Sequence, residues 1–384
     1  MKIRLAAAAV AAVLPITIIT ASADAATKPT KTTKASIPAP GKACTAKNVG
    51  VSVAGQGGVL LDCIKSGSTY TWQVSKDALV TTVPTTVAAG VVASTATVVV
   101  AKSDKWPDKI VFAPVPSENA TAALAAYGPF AKALEDMLGI KVEQVAVSDY
   151  AAVVEGQLSG KVDIAAYGPF SYYVAKVAGA KIDPIAVLVN DIGLPPSYQS
   201  FLIAPGNSAA TSIADVKGKK VCFVDNLSTS GYLYPTAGLK EAGLEVNRDY
   251  TAVFAGGHDK SVAAVKAGTC DLGFAFDDMV NTIAPASGII KPGDLKVIWK
   301  SKPIPNSPFA VRTDLPASLV AKIKESVPKI DALYLQAKKY CSASNPNCGI
   351  GTAKAWVQVN ESFFQPIADV CKVTQAPACF PVKK

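Results

Sequence analysis

Three consecutive hydroxyl residues, Ser228, Thr229 and Ser230, are followed by Gly231 just after an apolar run at 221–224 (VCFV). Asp225-Asn226 breaks that run, so the hydroxyls fall where a strand gives way to a helix. The first turn of a helix carries N–H groups without intrahelical partners at the positive end of the helix dipole. Hydroxyls placed there add donors of similar reach, and the combination suits a tetrahedral oxyanion. The plainer reading is an N-cap in which one Ser satisfies one backbone donor. His258, the only histidine, lies in GGHDKSVAAVKAG at a second strand-to-helix turn, where an imidazole titrating near neutrality suits the same anion and a solvated loop residue is the alternative. Asp277-Asp278 follow LGFAF at a third such turn, either as site carboxylates or as helix caps. Tyr150 and Tyr167 hold matching positions earlier in the chain, as donors facing a cleft or as half-buried aromatics.

The elements that must carry these residues alternate regularly from Trp106 onward. KIVFAPVP, KVEQVAV and KVDIAAYG read as strands separated by two helices, ATAALAAYGPFAKALEDMLG and DYAAVVEGQLSG. Leu124, Leu134, Met137 and Leu138 are expected on the buried side of the first helix. A second run starts at Lys219 with KKVCFVD, a helix from Ser228, DYTAVFAG, DKSVAAVKAG and CDLGFAFD. Each βαβαβ run predicts a parallel sheet with crossover helices. Ligands of open α/β sheets bind beyond the carboxyl ends of the strands, where all three polar clusters fall. The lobes are expected at 105–200 plus 305–384, with Cys-rich C-terminal helices, and at 201–304. The repeated AYGPF at 126–130 and 166–170 has unmatched flanks and reads as coincidence.

The ends of the chain have a different character. Lys2 and Arg4 precede an apolar run and a small-residue cleavage region, so residues 1–26 read as a secretory signal, without a lipid-attachment cysteine. Residues 27–42 read as a disordered linker, 43–82 as a small β-rich module closed by one disulfide, and 83–104 as a second linker. Eight cysteines suit an oxidising compartment, and proximity suggests the pairs 44–63, 341–348 and 371–379, leaving 222 with 270. With no CxxC and a single histidine, no metal site or other cofactor is expected. The formal charge is +9. Cleavage after Ala25 removes two cations and one anion, and Lys28, Lys31, Lys34 and Lys42 account for half of what remains. That is no argument for nucleic acid.

Residues 107–335 resemble the periplasmic phosphate, phosphite and phosphonate-binding proteins of ABC transporters. The stretches that carry this are DYAAVVEGQLSGKVDIAAYGPFSYYVA, STSGYLYP, GGHDKSVAAVKAGTCDLGFAFDD and IPNSPFAVR, in that order. The resemblance implies a type II periplasmic-binding-protein fold, two α/β lobes closing about a hinge on a ligand in the interlobe cleft. It implies that Ser228, Thr229, Ser230 and the following amides, including that of Gly231, hold phosphorus-bound oxygens. His258 would donate from the same lobe, and Tyr150 and Tyr167 from the other. Asp277 or Asp278 fits a place for a ligand amine, whereas Ser307 stands where relatives commonly have an acid. The expected partners are a small phosphorus oxyanion and an ABC permease, for a monomeric, exported, non-enzymatic protein in the periplasm or at the cell surface. Two rival readings are an exported hydrolase using Ser230, His258 and Asp277, and a wall-associated binding protein on the same fold.

Overall fold

A three-stranded antiparallel meander precedes the main body: β1 (Ser52–Ala54), β2 (Leu60–Ser66) and β3 (Thr69–Val74). Its core is Cys63 against Trp72, and the Cys44–Cys63 disulfide closes it. So small a core needs such a staple. The computed structural model describes residues 42–44, 52–54, 60–74, 104–190, 196–341 and 353–380. The expected signal at 1–26 and nearly all of the two linkers lie outside these residues, as does Cys348, the expected partner of Cys341.

The first lobe is built on β4 (Lys109–Pro114), α1 (Ala120–Leu138), β5 (Lys141–Gln144), α2 (Tyr150–Leu158) and β6 (Ile164–Ala166). β4 pairs in parallel with both β5 and β6. α3 (Pro169–Val177) and β7 (Ile182–Val189) follow. α1 starts at an Asn119 cap and stops at Gly139, which takes the left-handed conformation (φ 69°) that glycine tolerates. Ala123, Phe130, Ala131 and Leu134 form its buried stripe, whereas Leu124 and Met137 are only half-buried. Phe130 and Leu134 are fully enclosed with Phe112, Ile164 and Phe309, each side chain contributing about 1.5–3 kcal/mol of transfer free energy.

The chain crosses to the second lobe through β8 (Ser197–Tyr198) and continues as β9 (Ser200–Pro205). There β10 (Lys220–Phe223), α4 (Tyr234–Glu241), β11 (Thr251–Phe254), α5 (His258–Lys266) and β12 (Leu272–Phe276) repeat the pattern. α6 (Ala284–Ala286) and β13 (Leu295–Lys300) complete it, giving the strand order β11-β10-β12-β9-β13. The return passes through β14 (Ile304–Pro305), which pairs with β8, to β15 (Pro308–Arg312) in the first lobe. α7 (Ala317–Ser326), α8 (Ala332–Ala337), β16 (Ala355–Val357) and α9 (Gln365–Thr374) finish the chain.

Neither main sheet is purely parallel, as the βαβαβ runs alone would have it. β9 runs antiparallel to β12, and β15 antiparallel to β6. Each is the first sheet strand after a crossing. A chain arriving from the other lobe enters at the carboxyl end of the parallel strands, so it must run against them. The result is the type II periplasmic-binding-protein fold, with both sheets directing their parallel strand ends to the crossing.

Two disulfides with both cysteines among the described residues brace this body. Cys222 on β10 joins Cys270 ahead of β12, and Cys371 on α9 joins Cys379. α9 is shared rather than confined to the first lobe. Phe364, Ile367 and Cys371 pack in one core with Tyr172 of α3 and with Leu233 and Tyr234 of the second lobe. Lys240 Nζ of α4 also donates to the Thr374 carbonyl at 2.5 Å.

Candidate functional site

The hydroxyl run sits on a widened turn. Residues Thr229–Leu233 are π-helical, and α4 begins only at Tyr234, so the expected uniform helix from Ser228 is corrected. Pro235 supplies the reason. It has no N–H to donate to the Gly231 carbonyl, which instead accepts from Val224 N at 3.1 Å. Leu233 N reaches back five residues to Ser228 O at 3.1 Å, which opens the turn. Ser228 is the N-cap, its Oγ accepting from Gly231 N at 3.0 Å.

Ser228, Thr229, Ser230, Tyr150, Tyr167, His258, Asp277, Asp278 and Ser307 all line one cavity of about 310 Å³. This is near the lower end for small-molecule sites, a size for a ligand of a few heavy atoms. The remaining predicted residue, Gly231, does not line it. Its role is steric: a Cβ there would stand 2.3 Å from Val224 Cβ, so only glycine lets the turn rest on the strand end. Each of the six parallel strands in the two lobes ends in a turn that supplies a lining residue, and the turn after β11 supplies His258 at the start of α5.

His258 is buried and stacks edge-on to Phe276. Its Nδ1 accepts from Phe276 N at 3.2 Å, which leaves the proton on Nε2, 3.4 Å from Ser228 Oγ. Burial pushes its pKa down to about 3. The imidazole is therefore a neutral donor, and its donation does not depend on the near-neutral titration expected from its residue type. This geometry does not assemble the Ser230, His258 and Asp277 set of the hydrolase reading. His258 faces Ser228 rather than Ser230, and no carboxylate orients its Nδ1. Asp277 is occupied with Gln199 N and Asp278 N, both at 3.0 Å, and burial raises its pKa.

The tyrosines divide. Burial raises the pKa of both phenols, and that of Tyr150 interacts with Ser228 across the cavity. Tyr167 is aimed elsewhere: its hydroxyl points to the Val153 carbonyl at 3.5 Å within its own lobe, and its ring packs against Tyr172. The interlobe donor role expected of its side chain is thus corrected. Tyr198, unassigned from sequence, interacts with the hydroxyls of Ser230, Thr229 and Ser307, and burial raises its phenol to about 12. It lies on β8 opposite Ile304, at the crossing between lobes. A lone tyrosine in SYQSF carries no periodic or spacing signal, and only the strand pair at the crossing aims it.

Three hydrogen bonds tie the cavity walls together. Phe170 N donates to Thr229 Oγ1 at 2.8 Å, His258 N to Ser117 O at 2.8 Å, and Asn190 Nδ2 to Asp278 Oδ2 at 2.6 Å. Thr229 accepts there and keeps its own hydroxyl proton for the cavity. No Lys or Arg is among the described lining residues, while Glu118, Asp277 and Asp278 are. An anion in this cavity would be held by neutral dipoles and hydroxyls alone.

Comparisons with known proteins agree with this architecture. The family described as ABC transporter, phosphonate, periplasmic substrate-binding protein matches residues 112–333. The chain is 40% identical over 287 residues to the phosphate-import protein PhnD of Mycolicibacterium smegmatis, covering 72% of this chain and 89% of that one. It is 30% identical over 202 residues to the phosphonates-binding periplasmic protein of Escherichia coli, covering 51% and 58%. Among solved structures, a binding-protein component of an ABC phosphonate transporter from Pseudomonas aeruginosa superposes with a TM-score of 0.62 at 25% identity, over 70% of this chain and 86% of that one. PhnD1 of Prochlorococcus marinus in complex with methylphosphonate gives 0.62 at 19% identity, over 70% and 99%, and supports the fold. Fold, cavity position and sequence together make the chain a member of the phosphonate family of ABC-transporter periplasmic substrate-binding proteins.

Proposed function

We propose that this protein captures inorganic phosphate or a small phosphonate in the cavity between its lobes, outside the cytoplasm, and delivers it as a monomer to an ABC permease. The observation that carries this reading is the convergence of Ser228, Thr229, Ser230, His258, Tyr150 and Tyr198 from both lobes on one small cavity. The relative that imports phosphate and the structural neighbour that holds methylphosphonate support the two ligand classes. An amine-bearing phosphonate is the less favoured ligand. Asp277 already accepts two backbone N–H groups, Asp278 accepts from Asn190, and Ser307 supplies a hydroxyl where an acid would bind the amine.

The test is calorimetry with phosphate, phosphite, methylphosphonate and aminoethylphosphonate. Phosphate or methylphosphonate is expected to bind at micromolar or better. Ser228→Ala and His258→Ala are each expected to weaken binding at least ~10-fold, because a hydrogen bond to a charged group is worth about 1.5–3 kcal/mol. If none of the four ligands binds, the reading is wrong.

A further inference from the structure

Glu118 has no place in the donor set just described. It follows β4 in the turn at the carboxyl end of that strand and lines the cavity from the first lobe. Its carboxylate has no hydrogen-bond partner among the described residues, in contrast with Asp277 and Asp278. Asp259, in the first turn of α5, brings a second carboxyl toward it from the other lobe, and Asp259 Oδ1 is itself buried without a partner. Tyr127 of α1 and Tyr150 of α2 also feel the Glu118 charge, and His258 is a neutral neighbour in the same cavity. No cation among the described lining residues offsets this acid.

A bare carboxylate beside a bound oxyanion is repulsive unless a proton lies between them. We propose that Glu118 is the acceptor that selects an oxyanion carrying its own O–H, which favours inorganic phosphate over fully ionised tetrahedral anions. The inference rests on the phosphorus-oxyanion reading above. Phosphate near neutrality always retains at least one P–OH, and that hydrogen is donated to Glu118. Sulfate has none, and dianionic methylphosphonate has none. For those ligands the shared proton must come from Glu118 itself. Burial, followed by the neighbouring Asp259 charge, raises the Glu118 pKa, so that proton becomes available as pH falls.

Sulfate is the clean probe because it does not titrate across the working range. Wild-type protein is expected to bind phosphate throughout about pH 5 to 8.5, and sulfate only toward the acid end. Above the Glu118 pKa, sulfate affinity should fall about 10-fold per pH unit. Glu118→Gln places an amide donor in the same position. It should weaken phosphate at least ~10-fold, strengthen sulfate near neutral pH, and abolish the sulfate pH slope. Asp259→Asn removes the neighbouring charge and should move the wild-type sulfate profile to lower pH without altering phosphate binding near neutrality.

The wild-type pH profile and Asp259→Asn decide the matter even if Glu118→Gln does not fold. Wild type binding sulfate as tightly as phosphate at all pH values overturns the inference. So does an unchanged phosphate-to-sulfate ratio in folded Glu118→Gln, or a wild type that takes methylphosphonate but not phosphate. In each of these cases the parent reading survives. Failure of every phosphorus oxyanion to bind wild type sinks the parent reading as well.

Discussion

The two lobes make different contributions to one cavity. The second lobe presents a run of adjacent hydroxyls on a π-turn, backed by Val224 through Gly231 and braced below by Cys222–Cys270. These hydroxyls are neighbours in sequence and are fixed by local backbone, and His258 joins them from the start of α5. The first lobe contributes single residues from separate turns, Glu118, Tyr150 and Tyr167, and the crossing strand adds Tyr198. These meet only because the chain crosses between the lobes at the β8–β14 pair. In the proposed function, one lobe thus provides a preformed floor for the oxyanion, and the other supplies the contacts that discriminate among ligands.

The sharpest way to break this contrast is at the floor. In Gly231→Val a Cβ 2.3 Å from Val224 Cβ forces the π-turn off the strand end. Overpacking costs about 1–3 kcal/mol in stability. Ligand affinity, which depends on the same backbone, is expected to fall at least ~100-fold by calorimetry.

A second effect comes from His258. Its folded-state pKa of about 3 lies below the ordinary 6.5, so below pH 6.5 the unfolded chain binds the extra proton. Stability is then full above pH 6.5 and declines as pH falls toward about 3, with a limiting slope of about 1.4 kcal/mol per pH unit from this group. Urea titrations of unliganded protein at several pH values should show the decline, and His258→Asn should shallow it. An unchanged slope in that variant would place the acid sensitivity elsewhere.

The smallest effects compare two tyrosines. Tyr198→Phe removes a hydroxyl that interacts with Ser230, Thr229 and Ser307, and is expected to weaken phosphate about 10-fold. Tyr167→Phe removes one directed at the Val153 carbonyl and should leave affinity within ~2-fold. The reverse ranking would mean that the first lobe presents its side chains to the ligand differently from this arrangement.

The legibility of the site follows the same division. Ser228 to Ser230 were readable because a hydroxyl run between a strand and a helix is a local pattern. His258 and Asp277-Asp278 were readable because strand-to-helix turns repeat at regular intervals. Tyr167 occupied the right turn but pointed inward, since the direction of a side chain after a short strand depends on the packing beneath it. Tyr198 and Glu118 were missed because nothing local distinguishes a lone tyrosine before a strand, or a glutamate in PSEN, from solvated residues. The parallel triplets were likewise visible in the alternation of strands and helices. The antiparallel insertion of β9 and β15 was not, because it depends on where the chain re-enters each sheet.

By itself the sequence determined the βαβαβ runs and the hydroxyl run between a strand and a helix, both of which depend on neighbours within a few residues. Only the tertiary structure decided that His258 donates as a neutral imidazole, that Asp277 and Asp278 are already engaged, and that Glu118 faces the cavity with no hydrogen-bond partner among the described residues. Burial and hydrogen-bond partners set the charge and the free valence of a polar group, and both are supplied by residues distant in the chain.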